Sequence, residues 1–255
     1  MKIASWNVNS IKTRLGHVTD WLETQKPDVL MIQELKGLDF PAEPFDALGY
    51  KNAAVTQKAY NGVAILSKHD IAVQCDKLPG DDGDEQARYL EDDINGVRMV
   101  CIYLPNGNPV DTEKFPYKLR WMDRLKDHLA TLRSNDVPFL VGGDFNIIPE
   151  ARDCYNPAAW TDDALFHIDS RRKFRALLNL GLYDALRVHN KAPEQYTYWD
   201  YQGGAWQGGK GIRIDHFLLS PPITDRLVSC TIDTVPRGQD KPSDHTPIMI
   251  EIAAA

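Results

Sequence analysis

Asp144 and Asn146 stand two residues apart, directly after the apolar run Phe139-Leu140-Val141 and the pair Gly142-Gly143. A carboxylate and a carboxamide at the rim of a rigid strand suit a group that takes a proton or holds a cation at fixed distance. The glycines leave the backbone open to close approach by another group or by a ligand phosphate. The same design recurs along the chain. Asn7 and Asn9 follow Lys2-Ile3-Ala4-Ser5-Trp6, Glu34 follows Val29-Leu30-Met31-Ile32, and Tyr103 lies near the end of the run 97–104. Asp215 precedes Phe217-Leu218-Leu219, and Asp244-His245 precedes Ile248-Met249-Ile250. Each alone reads equally as a cap, a turn or a surface charge; their joint occurrence at strand ends is the signal. Carboxylates beside carboxamides make a hard-oxygen set that suits Mg²⁺, with Mn²⁺ as a substitute, and the chain lacks the Cys/His spacing of a zinc site.

For these residues to meet, the strands must be suitably arranged. The groups at 7–9, 34, 103 and 144–146 lie at or near strand C-terminal ends, those at 215 and 244–245 at N-terminal ends. Antiparallel pairing brings such ends to one edge. The runs 2–6, 29–32, 62–66, 71–73, 97–104, 139–141, 217–219, 228–232 and 248–252 read as strands. Leu15, Val18 and Leu22 keep helical spacing and Pro27 closes that helix; Leu119, Met122, Leu125, Leu129 and Leu132 mark a long one, and Phe174, Leu177 and Leu178 another. The acidic stretch 80–85 reads as a solvated loop. Several strands follow one another without a helix between. That excludes a purely doubly wound sheet and favours stacked mixed sheets with helices outside, in one domain over residues 1–255.

The net charge of −7 argues mildly against a nucleic-acid partner. A chain that concentrates carboxylates around a cation is acidic, however, without its substrate face being so. No apolar run approaches the roughly 18 residues of a membrane span. The strand pattern starts at Lys2 with no leader before it, and the four cysteines have neither metal nor redox spacing. These features point to a cytoplasmic protein with free thiols and no membrane partner, and no heptad pattern argues against a monomer.

Ser5-Trp6-Asn7-Val8-Asn9-Ser10, Gln33-Glu34-Leu35-Lys36, Tyr103-Leu104-Pro105-Asn106-Gly107, Gly143-Asp144-Phe145-Asn146, Gly211-Ile212-Arg213-Ile214-Asp215 and Lys241-Pro242-Ser243-Asp244-His245 occur in this order. Together they resemble the exonuclease III family of apurinic/apyrimidinic (AP) endonucleases, over about residues 2 to 252. The resemblance implies an α/β fold of the DNase I-like kind: a four-layer α/β sandwich, two packed mixed β-sheets flanked by helices. It implies a Mg²⁺-dependent DNA repair nuclease acting on duplex DNA with 3′ ends, 3′-blocked ends or abasic sites. It makes Glu34 the principal metal ligand, supported by Asn7, with Asp144, Asn146, Asp244 and His245 also in the metal and catalytic cluster. Asp144 would orient or deprotonate the attacking water, Asn146 steady the transition state, Tyr103 donate to a phosphate or leaving oxygen, and Asp215 pair with His245 to favour a cationic ring.

Substrate contacts are expected from Asn106, His167, Trp199, Trp206, Ile212 and Lys241. Lys36, Lys118, Lys210 and the basic run Arg171, Arg172, Lys173, Arg175 are further candidates. Two positions depart from relatives. His167, in the loop that by analogy borders the pocket for a flipped-out abasic sugar, is expected to narrow that pocket. The activity implied is therefore 3′→5′ exonuclease and 3′-phosphodiesterase, with weakened abasic incision. Asn9 stands where many relatives carry Asp, which removes a carboxylate near the metal. The alternatives are dominant incision 5′ of abasic sites, a phosphoesterase of the same superfamily acting on sphingomyelin or inositol phosphates, and a non-catalytic nucleic-acid-binding relative.

Overall fold

The computed structural model describes residues 1–254. Its strands are β1 (Lys2–Asn7), β2 (Val29–Gln33), β3 (Lys51–Val55), β4 (Val63–Ser67), β5 (Ala72–Cys75), β6 (Tyr89–Ile94), β7 (Val97–Tyr103), β8 (Phe139–Asp144), β9 (Tyr183–Asp184), β10 (Asp215–Leu219), β11 (Leu227–Ile232) and β12 (Ile248–Ile252). Its helices are α1 (Ile11–Gln25), α2 (Ala42–Ala47), α3 (Lys114–Ser134), α4 (Ile168–Leu178), α5 (Ala185–His189) and α6 (Pro221–Thr224). One six-stranded sheet has the order β11-β12-β1-β2-β4-β3, the other β5-β6-β7-β8-β10-β9. Both are mixed: β1–β2 and β7–β8 run parallel, and their other pairings are antiparallel.

Alternation along the strands makes the layers. In β8, Leu140 joins a core between the sheets with Met31, Ile65, Met99, Phe217 and Ile250. Its neighbours Phe139 and Val141 point the other way, into a second core with Trp121, Leu125 and Leu129 of α3 and Phe174 and Leu177 of α4. On the far side, Ala4, Leu30 and Leu66 pack against Val18, Trp21 and Leu22 of α1. The layers therefore run helix, sheet, sheet, helix, as expected.

Local chemistry sets the ends. The Ser10 hydroxyl caps α1 by accepting from Thr13 N–H, and Lys26 ends it in the left-handed region, donating its N–H to Leu22 O at 2.9 Å. The glycine pair answers to the first of the two reasons expected, close approach by another group of the protein. A Cβ at Gly143 would lie 2.0 Å from Ile102 O, and one at Gly142 would lie 2.4 Å from the Phe217 ring. It is the neighbouring strand and the core, not a ligand phosphate, that require glycine here.

Sequence pattern misses β3, α2 and β6. In β6 the reason is charge: Glu91, Asp92 and Asp93 interrupt the apolar alternation. Glu91 and Asp93 are matched on the outer face by Arg98 and, for Glu91, by His128 at 2.6 Å. Asp92 is fully buried and neither carboxylate oxygen has a partner among the described residues. Burial, with Asp93 and Glu91 alongside, raises its carboxyl to about 7. An acid whose native value lies above its unfolded value stabilises the fold fully at low pH, and this contribution fades as pH climbs through about 7. Asp92→Asn stays neutral throughout. It is therefore expected to change stability little near pH 4 and to raise it by about 2–4 kcal/mol above pH 7. Urea unfolding at both pH values checks this, and an equal effect at the two would refute it.

Candidate active site

Register does most of the assembly. Asp144 at the end of β8 lies opposite Tyr103 on β7 and opposite Asp215 on β10, so three functional residues form one row across the second sheet. In the first sheet Asn7 pairs with Gln33, which places Glu34 next to the end of β1. The Ser243 hydroxyl donates to Asn7 O at 2.7 Å and Trp6 Nε1 to His245 O at 3.3 Å, tying the segment before β12 to the same rim. Several non-glycine residues here adopt positive φ: Asn9 (45°), Glu34 (57°), Lys36 (54°), Asn146 (49°) and Lys241 (46°). Such backbone strain is held only where surrounding contacts over-determine it, and it gathers at functional sites.

Ligand atoms of Glu34, Asp144 and His245 lie within 4.8 Å of one another, a geometry able to hold a cation. Asn7 Nδ2 bridges the two carboxylates, at 2.9 Å from Glu34 Oε1 and 3.0 Å from Asp144 Oδ2. Its Oδ1 accepts from Asn9 N–H, so the amide braces the carboxylates rather than presenting an oxygen between them. Tyr103 donates to Glu34 Oε1 at 2.9 Å, and Lys36 Nζ sits 2.7 Å from Glu34 Oε2. Burial works against a charged Glu34, but the Lys36 charge and the Asn7 hydrogen bond hold its carboxyl below the usual range.

His245 Nδ1 meets Asp215 Oδ2 at 2.9 Å, and its Nε2 lies 3.7 Å from Asp144 Oδ2. Burial alone would push this imidazole down; Asp215 and Asp144 override it and raise it to about 10. A carboxylate at each ring nitrogen favours the cationic form of His245, while the ring also stands among the groups able to hold a cation. Asp215 is itself positioned by Thr197, whose hydroxyl accepts from Ile214 N–H and Asp215 N–H. Burial raises the Asp144 carboxyl to about 7, with Asp215 adding to the rise and His245 opposing it. Asn146 lines the cavity, but its amide is engaged at both ends: Nδ2 donates to Leu104 O and Oδ1 accepts from Asn106 Nδ2, each at 3.0 Å. Asp244 also lines it, outside the converging trio, and Asn9 Nδ2 donates to its Oδ1 at 3.0 Å. An Asp at position 9 would face Asp244 with like charge; the amide resolves this.

These groups open onto a cavity of about 300 Å³. Its wall includes Asn106 as expected, and also Asn108, Trp160, Asp163, Leu165, Tyr198, Asp200 and Ile214, which the sequence reading does not assign. Trp160 lies in an irregular segment where no periodicity marks it, and Tyr198 is set by single bridges to Ile212 and His245.

Several expected contacts are corrected. Trp199 is buried, edge-on to Tyr196 and Trp206, and serves the site only through its N–H to Asp244 O. Trp206 packs on Trp199 and under Arg237, anchoring a glycine-rich loop that has little other apolar mass. Ile212 is buried with Ile148, Leu165 and Phe166 and reaches only a neighbouring cavity, which Lys210 also lines. Lys241 is exposed and stands outside the cavity wall. Lys118 is fully buried: its ammonium donates to the carbonyls of Asn106, Asn146 and Ala164, clasping three loops of the wall, and burial lowers it to about 7. His167 does not line the cavity. It caps α4 through Nδ1, which accepts from Asp169 N–H at 3.2 Å, with its ring edge against Phe115. Its backbone N–H donates to Asp163 O at 2.7 Å, a bond that holds the loop carrying Leu165 and Trp160 whatever the side chain at 167; the side chain itself acts through the α4 cap and its packing on Phe115.

Comparisons with known proteins bear on the family and the fold. The sequence pattern of the Endonuclease/Exonuclease/phosphatase family matches residues 4–245. The chain is 32% identical over 265 aligned positions to exodeoxyribonuclease III of Haemophilus influenzae, covering 98% of this chain and 99% of the relative. A 3′ phosphatase from Neisseria, solved with a product DNA hairpin, superposes with a TM-score of 0.97 at 36% identity over 100% of both chains. An AP endonuclease from Archaeoglobus fulgidus gives 0.95 at 37% identity, again over 100% of both.

Proposed function

This chain belongs to the Endonuclease/Exonuclease/phosphatase family, as an exonuclease III-like nuclease, and on that footing we propose that it processes 3′ termini of duplex DNA with Mg²⁺ bound at Glu34. The substrates are recessed 3′ ends and 3′-blocked ends, with internal abasic sites cut weakly; the protein acts as a monomer in the cytoplasm. The observation that carries this reading is the convergence of Glu34, Asp144 and the His245–Asp215 pair on one cavity.

The donor set fits a hard cation: two carboxylates converge and no thiolate stands among them. Glu34 and Asp144 would hold it, with Asn7 fixing their separation. The ion would supply neutralisation of charge on the phosphate in the transition state. The chain's own residues do the rest. Asp144, raised towards neutrality, orients the attacking water and takes its proton. Cationic His245 binds a non-bridging phosphate oxygen, and Asp215 keeps it charged. Tyr103 keeps its proton, burial and Glu34 raising it far above the ordinary phenol range, and its hydroxyl, which donates to Glu34 Oε1 without substrate, turns to donate to a phosphate or leaving oxygen when one is bound. Asn146 and Asn106, linked to each other, shape the side of the cavity where the sugar–phosphate lies.

Weak abasic incision is attributed to the wall of Trp160 and Leu165, braced from behind by His167. The test uses labelled duplexes carrying an internal abasic site, a recessed 3′ end, a 3′-phosphate or a 3′-phosphoglycolate, each with Mg²⁺ and with chelator. Turnover is expected at the 3′ substrates, abolished by chelator. His167→Gly is expected to raise abasic incision about tenfold while costing only roughly a few tenths of a kcal/mol of helix capping. Unchanged abasic incision in this variant would remove the explanation, and efficient incision by the parent protein would favour an AP endonuclease instead.

A further inference from the structure

The basic run on α4 divides in two. Arg172 pairs with Asp169 and Lys173 with Asp123. Arg171 and Arg175 have no carboxylate partner among the described residues, and both line a second cavity of about 430 Å³. Arg187 of α5 completes a group of three guanidiniums there. Its side chain is 10% exposed and largely engaged: it pairs with Asp153 and donates from Nη1 to Asn190 O at 3.0 Å and Ala192 O at 2.7 Å, which leaves its Nε–H without a partner among the described residues. The acids at this cavity are already engaged: Glu150 by Arg152 at 2.8 Å, and Asp184 by Arg213 at 2.8 Å. Phe174, Leu178 and Pro149 add apolar wall. The volume falls within the usual range for small-ligand sites.

We propose that this cavity is a second phosphate site, in which Arg171 and Arg175 hold a phosphate, the Asp153-bound Arg187 stands behind them, and the apolar wall takes the nucleoside attached to it. The inference rests on the nuclease reading for its ligand class. Two guanidiniums free of carboxylate partners, Arg171 and Arg175, beside an apolar surface match a nucleotide's two halves, a dianionic or monoanionic phosphate and a flat base, while the acids of the wall are held by other arginines. The site also touches the catalytic wall. The Arg171 guanidinium lies 4.3 Å from the Phe166 ring centroid and its Nε donates to Phe166 O, one residue from Leu165. Two sources supply this chemistry: a free nucleoside 5′-monophosphate, the small product of 3′-terminal digestion, or a backbone phosphate of the bound duplex.

Calorimetry with dAMP in chelator, and duplex binding across a salt series, separate the sources. Each arm compares the full chain with Arg175→Gln and with Arg171→Gln/Arg175→Gln. A saturable dAMP site that weakens about tenfold per arginine identifies the free nucleotide. No such site, with a salt slope shallower by roughly two in the double variant, identifies the DNA backbone. If both variants bind dAMP and duplex as the parent does, the second site is ruled out. Arg175 is exposed, so its single replacement keeps the comparison valid if the double variant folds poorly. The readout is binding. A chain that hydrolyses no DNA yet shows the dAMP site retains this inference and loses the nuclease reading; the reverse result does the opposite.

Discussion

Replacing Glu34 with Gln is expected to lower hydrolysis at a recessed 3′ end by about a thousandfold and leave the fold intact. The substitution keeps the shape and the hydrogen bonds from Asn7 and Tyr103, but it removes the one carboxylate in the converging trio that is held below the ordinary range. A hard cation supplies several kcal/mol to charge stabilisation at phosphate, and about 4 kcal/mol corresponds to that factor in rate. The loss should come with a rise in the Mg²⁺ concentration needed for half-maximal turnover, because Lys36 at 2.7 Å then faces the site without a neutralising partner. Single-turnover rates over a Mg²⁺ titration measure both. Unchanged rate and unchanged Mg²⁺ dependence would mean that the cation, if needed, binds elsewhere.

Asp215→Asn is expected to be more damaging, by about 10⁴ in turnover, the scale seen when the carboxylate behind a catalytic imidazole loses its charge. The shape is kept and Asp215 Oδ1 has no partner to lose, so the melting temperature should move little beside the rate. The sign of the pH effect follows from the charges. Asp215 and Asp144 raise His245 to about 10, so the ring is cationic across neutral pH. With Asp215 neutral, burial still lowers the ring and only Asp144 and the weaker influence of Asp244 oppose it, so activity that needs the cation fails from the alkaline side first. The alkaline limb of the rate profile should move towards neutral pH. A variant within threefold of the parent, with that limb in place, would overturn the assignment of His245.

How much of this was legible in residue order depends on range. The strand ends bearing Asn7, Glu34, Tyr103, Asp144, Asp215 and His245 could be read because alternation and turn chemistry are local, and two-fold periodicity forces a polar residue at a buried strand's end to face a rim. The antiparallel rule accounts for part of the convergence, as where β8–β10 register sets Asp144 against Asp215; the parallel pairs β1–β2 and β7–β8 and the packing of the two sheets supply the rest. Strand β6 was illegible because its acids break the pattern that marks a strand, and their partners Arg98 and His128 come from other elements.

The residue types alone determined the chemistry of this protein: hard oxygen donors, an imidazole with a carboxylate, and the sheets that must carry them. Only the tertiary structure decided which aromatic and basic side chains face the substrate. Trp199 and Lys118 have the right composition for DNA contact, yet one is core and the other clasps three carbonyls. Trp160 and Tyr198, unmarked by any spacing, form the wall. The reason is physical: whether a long side chain is buried or presented depends on neighbours brought from far along the chain, and irregular loops impose no period from which its direction can be read.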